Sequence, residues 1–160
     1  MKRSVVASAL LVLMPVAALA VTSPFERLAG TWSGTGTIEM ADGNREPLRC
    51  RAAYDVLKDG ANLQLNLRCA SESYNFDLRS SVEYERGKVT GVWSESTMNA
   101  GGQLSGRAEG DRIRIVANSQ SFTAALTLVT NGHRQTVQIQ SQQPDSRIKG
   151  ATMTLSRSGG

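Results

Sequence analysis

The chain has one histidine, His133, and two cysteines, Cys50 and Cys69, in 160 residues. A single histidine beside an Asn-Gly turn leaves no Ser-His-Asp or Cys-His arrangement for nucleophilic catalysis. No cluster of His, Cys and carboxylates has the spacing of metal ligands, so no metal and no cofactor are expected. The glycine-rich stretches do not follow a strand and open a helix, which excludes phosphate loops. Glu39, Asp55, Asp77, Glu83 and Glu85 fall at outward or turn positions, where carboxylates are ordinarily solvated. On these absences the chain reads as a binding protein and not an enzyme.

Charge runs and helical heptads are also missing. The formal net charge is +4. It falls to +2, with 16 basic against 14 acidic residues, once Lys2 and Arg3 are set aside with the leader. That balance excludes nucleic acid and a polybasic membrane patch as partners. The leader itself is residues 1–20. Lys2 and Arg3 precede an apolar run over residues 5–13, and Ala18-Leu19-Ala20 is a small-x-small cleavage site. This is the pattern of a secretory signal peptide cut near Ala20, too short for a transmembrane segment. No cysteine follows the cut, so no lipid anchor is expected. The chain is therefore expected in the periplasm or outside the cell, with residues 21–160 as a single domain.

Within that domain the most informative stretch is residues 48–70. A turn centred on Asp59-Gly60 pairs Val56 with Leu63, Tyr54 with Leu65, Ala52 with Leu67 and Cys50 with Cys69. All eight then share one face, because side chains alternate with period two. An even cysteine count in an exported small domain argues for a disulfide, and nothing resembles a Cys-x-x-Cys redox pair. A strict two-residue turn would set the cysteines at a wide, hydrogen-bonded pair; a bulge or a four-residue turn would bring them closer.

The rest of the chain repeats this alternation. Residues 23–30 form one helical turn, and Trp32, Ile38 and Met40 share a face of the first strand. Phe76, Leu78, Val82 and Tyr84 continue the apolar face, and Leu104, Gly106 and Ala108 oppose Ile113, Ile115 and Ala117 across Gly110-Asp111. Asn131-Gly132 predicts a hairpin in which Val137 meets Leu126 and Ile139 meets Ala124. Asn99-Ala100-Gly101-Gly102 reads as a turn. About ten short strands result, each joined to the next by a turn. An antiparallel up-and-down meander closed into a barrel removes both sheet edges and is the expected fold; a β-sandwich is the alternative. Small inward residues such as Gly34, Gly36, Gly91 and Gly106 signify either a cavity or bends in the wall.

Gly30-Thr31-Trp32 opens the first strand and Arg157 closes the last. This resembles the calycin signature shared by lipocalins, fatty-acid-binding proteins and avidins. The resemblance implies that Trp32 seats under the barrel with Arg157 over its ring, a cation on an aromatic face. It further implies a cavity for a small, mostly apolar ligand. The longer stretch Gly30-Thr31-Trp32-Ser33-Gly34-Thr35-Gly36 is similar to the opening of nitrobindin-type haem barrels. His133 sits on a rim, however, and Tyr54 and Tyr84 fit as inward aromatics, so haem is not expected. Exported barrel inhibitors of metalloproteases also resemble the chain in size, disulfide and opening tryptophan, but their inhibitory segment has no counterpart in residues 21–27.

Two candidate sites follow. Tyr54, Phe76, Tyr84, Trp93 and Phe122 are the large side chains available to line a ligand cavity. Outside, Arg49, Arg51 and Arg68 form a basic patch with Arg51 directly opposite Arg68, an unfavourable pairing that invites an anion or an acidic protein partner. Asp55 and Glu72 are the carboxylates expected to neutralise it. The leading expectation is a carrier of a small apolar ligand, and the alternative is a protein-interaction or inhibitor module with a filled barrel.

Overall fold

The computed structural model describes residues 23–58 and 60–159, so the stretch read as a signal peptide lies outside the described residues. After a 3-10 turn at Glu26–Leu28 the chain runs through ten strands. These are β1 Gly30–Met40, β2 Arg45–Leu57, β3 Asn62–Ala70, β4 Asn75–Glu85, β5 Lys88–Glu95, β6 Ala100–Glu109, β7 Arg112–Asn118, β8 Thr123–Asn131, β9 Arg134–Ser141 and β10 Ile148–Arg157. Each pairs antiparallel with the next, and β10 returns to β1, which closes the barrel. The alternative of two packed sheets is thereby excluded. Among the described residues no helix is long and apolar enough to cross a membrane.

Register puts one residue in two inside. From Trp32 the inward set passes through Ala52, Leu67, Leu78 and Glu95 on successive strands. The β2–β3 hairpin has the expected pairs, and the two cysteines form a disulfide. Their Cα atoms are 4.1 Å apart, the narrow class of antiparallel pair. This follows from the connection: β2 ends at Leu57 and β3 begins at Asn62, so four residues, 58–61, join them. Gly60 in that turn has φ +88° and is buried. A Cβ there would come within 2.8 Å of Ser23 Cβ, so both conformation and contact require glycine.

Two expected turns are displaced. β8 and β9 pair Asn131 with Arg134, so Leu128 meets Val137 and Leu126 meets Ile139, two residues away from the predicted register. Gly132 carries the positive φ, +57°, and the turn is Gly132-His133 with glycine first. Similarly, residues 100–102 belong to β6, and the turn before them is residues 96–99.

The inward glycines mark bends. A Cβ on Gly34 would stand 2.0 Å from the Thr154 carbonyl oxygen, and one on Gly91 2.2 Å from that of Ser81. Neighbouring strands cross too closely there for any side chain, as at a barrel corner.

One end of the barrel is plugged. Phe25, Leu28 and Trp32 are each about 1 % exposed or less. The Trp32 indole N–H donates to the Leu28 carbonyl at 2.7 Å, and the Ser23 hydroxyl donates to the Gly60 carbonyl at 2.6 Å. Phe25 meets Tyr84 edge-on with centroids 6.0 Å apart. Trp32→Ala removes the centre of this plug, and its unfolding free energy should fall by about 3–5 kcal/mol in chemical denaturation. A Cys50→Ala/Cys69→Ala double variant should lose about 2–4 kcal/mol, measured against the oxidised protein.

Candidate functional site

The site has three parts: a polar network against the plug, an apolar wall above it, and a rim of loops. At the plugged end the Tyr54 hydroxyl donates to Gln135 Oε1 at 2.8 Å, and Gln135 Nε2 donates to the Thr130 hydroxyl at 3.3 Å. Burial pushes the Tyr54 hydroxyl far above its usual pKa, against the smaller downward pull of the Gln135 hydrogen bond. It stays neutral and remains a donor. Arg157 faces inward beside Trp32, with its Cζ 4.7 Å from the ring centroid. Its guanidinium also donates to the Arg27 carbonyl.

Above the plug the wall is apolar and only half-buried. Leu65, Leu67, Leu78, Ile115, Leu126, Leu128 and Ile139 all point inward by register, yet each keeps part of its surface accessible. An inward side chain of a closed sheet meets solvent by way of the lumen. Trp93 is the large aromatic on this wall, 8 % exposed, with Phe122 edge-on at 6.2 Å. Among the described residues its indole N–H is buried with no acceptor.

The rim is formed by residues 41–44, 71–74, 96–99, 119–122 and 142–147. Two carboxylates pin its loops. Glu46 accepts from the Ser71 hydroxyl at 2.7 Å and the Ser73 N–H at 3.0 Å, which hold its pKa below the usual carboxylate range. Glu95 lies inside the barrel at 4 % exposure. It accepts from the backbone N–H groups of Asp77, Thr97 and Met98, at 2.8, 3.1 and 2.7 Å, and from the Thr97 hydroxyl. Burial alone would raise its pKa, but these hydrogen bonds together outweigh it and lower it. Sequence reasoning passed over Glu95. Its signal was parity: it follows Val89, Gly91 and Trp93 at two-residue spacing on an inward face.

The expected cavity aromatics divide between the two ends. Tyr54 and Tyr84 belong to the plug, through Gln135 and Phe25. Trp93 and Phe122 meet each other, and Phe76 stacks on Tyr74 at 6.1 Å. Outside, Arg49, Arg51 and Arg68 line one depression of about 690 Å³ together with Ser33, Thr35 and Asp77. The carboxylate that meets this patch is Asp77, 3.1 Å from Arg68, and not Asp55 or Glu72. A second depression of about 400 Å³ is lined by Gln64, Leu65, Arg79, Ser80, Val92 and Trp93. His133 is exposed, and the described residues hold no group of three metal-ligating side chains.

No family model matches the chain, and no curated protein matches its sequence. Its fold is similar to the crystal structure of Rv2717c from M. tuberculosis, with TM-score 0.66 and 11% identity, over 83% of this chain and 94% of that one. It is likewise similar to the S-type phycobiliprotein lyase CPES from Guillardia theta, with TM-score 0.64 and 10% identity, over 85% and 91%. At such identities the likeness is one of fold, a closed antiparallel barrel. It also corrects the reading of the chain as a non-enzyme. A barrel of similar fold, the Guillardia theta protein, is a lyase, an enzyme class. The missing triad and metal cluster therefore do not exclude catalysis, since one fold hosts many chemistries.

The Glu95 carboxylate makes a pH prediction. Its folded pKa lies below its unfolded value, near 4.3 for a model peptide, so the stability it adds is full above about pH 5. That stability drains away as pH falls through the folded pKa. Glu95→Gln should cost about 2 kcal/mol at pH 7 and flatten the acid limb of a pH–stability curve. Equal acid limbs in the two proteins would show the carboxylate to be idle.

Proposed function

We propose that this chain is an exported barrel that holds a small, mostly apolar ligand in its lumen. The observation that carries the reading is the half-burial of inward leucines and isoleucines midway along a closed wall. Side chains that filled the barrel would seal one another, as Trp32, Leu28 and Leu155 do at the plug. The Arg157 guanidinium over the Trp32 ring supports a closure of one end by these two residues, and the disulfide braces the wall beside Gly34. The disulfide also supports an oxidising compartment, the periplasm or beyond, as does the signal-peptide pattern of residues 1–20.

A second reading rests on the outer wall. Arg51 lies directly opposite Arg68, and both line a depression that also holds Arg49. One carboxylate, Asp77, meets the three guanidinium groups, through Arg68. An acidic segment of a partner protein would relieve that repulsion.

The primary test is titration with N-phenyl-1-naphthylamine, a neutral apolar dye that brightens out of water, alongside native mass spectrometry of protein taken from its own source. One dye per chain is expected. Leu126→Trp, which fills the lumen from β8, should abolish the brightening while leaving the circular dichroism and melting transition of a folded barrel. Undiminished binding to that variant would place the dye on the surface and overturn the reading.

A further inference from the structure

Polar groups inside a barrel must find partners or cost the fold their lost hydration. Most of the interior obeys this. Tyr54, Gln135 and Thr130 satisfy one another, Trp32 donates to Leu28, and the Glu95 oxygens are taken by three backbone N–H groups and a hydroxyl. Among the described residues two buried side-chain atoms are exceptions: Arg157 Nε at the plug, whose guanidinium already donates to the Arg27 carbonyl through another nitrogen, and Trp93 Nε1 on the wall above it. The Trp93 Nε1–H is sealed from solvent and has no acceptor among the described residues.

The surroundings of that indole are those of a binding spot. On β4 its register partner is Ser80, inward and half-buried, with a hydroxyl free of any hydrogen bond to the described residues. On β6 its partner is Gly102, where a Cβ would lie 1.7 Å from the Asn118 carbonyl oxygen. One flank of the indole thus carries a small hydroxyl and the other no side chain. Two residues further along β5, roughly 6.6 Å by strand rise, stands the Glu95 carboxylate. Its lone pairs are occupied, but its charge repels any anionic head group brought to Trp93.

We infer that the lumen ligand is a neutral molecule with an apolar body and one oxygen acceptor, a carbonyl or an ether, seated on Trp93 Nε1–H and beside Ser80. The inference rests on the lumen reading above and narrows its ligand class. It predicts discrimination by head group at constant chain length. A site built around a donor rejects the analogue lacking the acceptor, because the buried donor is then left unpaired.

The test is displacement of N-phenyl-1-naphthylamine from the whole mature chain by three nine-carbon compounds: 2-nonanone, nonane and nonanoate. The ketone should bind about tenfold more tightly than either of the others. In an NMR spectrum of the tryptophan side chains the Trp93 Nε1–H resonance should move downfield with the ketone and not with nonane. Trp32, already bonded to Leu28, should stay in place. Trp93→Phe should bring the ketone down to the affinity of nonane and leave nonane unchanged. Should that variant fail to fold, Ser80→Ala serves, with about a threefold loss for the ketone alone. Equal affinities for ketone and alkane in the unaltered protein, or tightest binding by nonanoate, overturn the inference while sparing the lumen reading. Displacement by none of the three, with no brightening of the dye, overturns both.

Discussion

Everything in this molecule depends on the ladder between β1 and β10. Without it the meander has two free edges and its inward face is merely one side of an open sheet. With it, every alternate residue of ten strands is committed to a single enclosed space. The ladder begins at the pair Trp32 and Arg157. Of the forces there, cation attraction to the indole is the smaller, about 0.5–2 kcal/mol. Removing the indole from water contributes more, and that requires the 3-10 turn to fold under the barrel and present the Leu28 carbonyl. The plug and the closure are accordingly one event.

Closure also explains the glycines. A ten-stranded wall must turn sharply somewhere, and it does so where Gly34, Gly36, Gly91 and Gly106 let adjacent backbones approach within the radius of a Cβ. Their smallness belongs to wall geometry first. The leucines and isoleucines between the bends pack against the buried core and keep part of their surface accessible. That distinction was not available from composition, which shows glycine count but not what stands opposite each one.

Much of the wall was legible in the sequence because hairpin register is a local property. The turns at Gly60 and at Gly110-Asp111 sit between strands whose alternation agrees with the turn, so β2–β3 and β6–β7 follow directly. Asn131-Gly132 misled because two turns compete at that site. Shifting the pair by two residues keeps the same side chains inward, so the hydrophobic pattern cannot choose between them. Glycine as first residue of the Gly132-His133 turn decides it. The division of aromatics between plug and wall was illegible for a different reason. Strands in a barrel are tilted, so residues in register climb from one end to the other. Tyr54 and Trp93 are linked by register through Leu65 and Ser80, yet one serves the plug and the other the rim side.

The same tilt bears on what the interior can do. Polar atoms inside fall into two groups by their completeness. Tyr54, Gln135 and Thr130 at the plug, and Glu95 near the rim, have partners enough to fix the backbone around them, and they serve as structure, whereas Arg157 Nε has none among the described residues. The Trp93 N–H, beside the free hydroxyl of Ser80, has the opposite character: it is directed chemistry with nothing yet to act on. A closed barrel wall does not by itself decide between holding a molecule and transforming it. Carriage needs only affinity. Turnover would need the Trp93 donor to bind an oxygen more strongly as charge develops on it. In this barrel the Glu95 carboxylate stands two residues from Trp93 on β5, so negative charge developing at that donor would meet its repulsion.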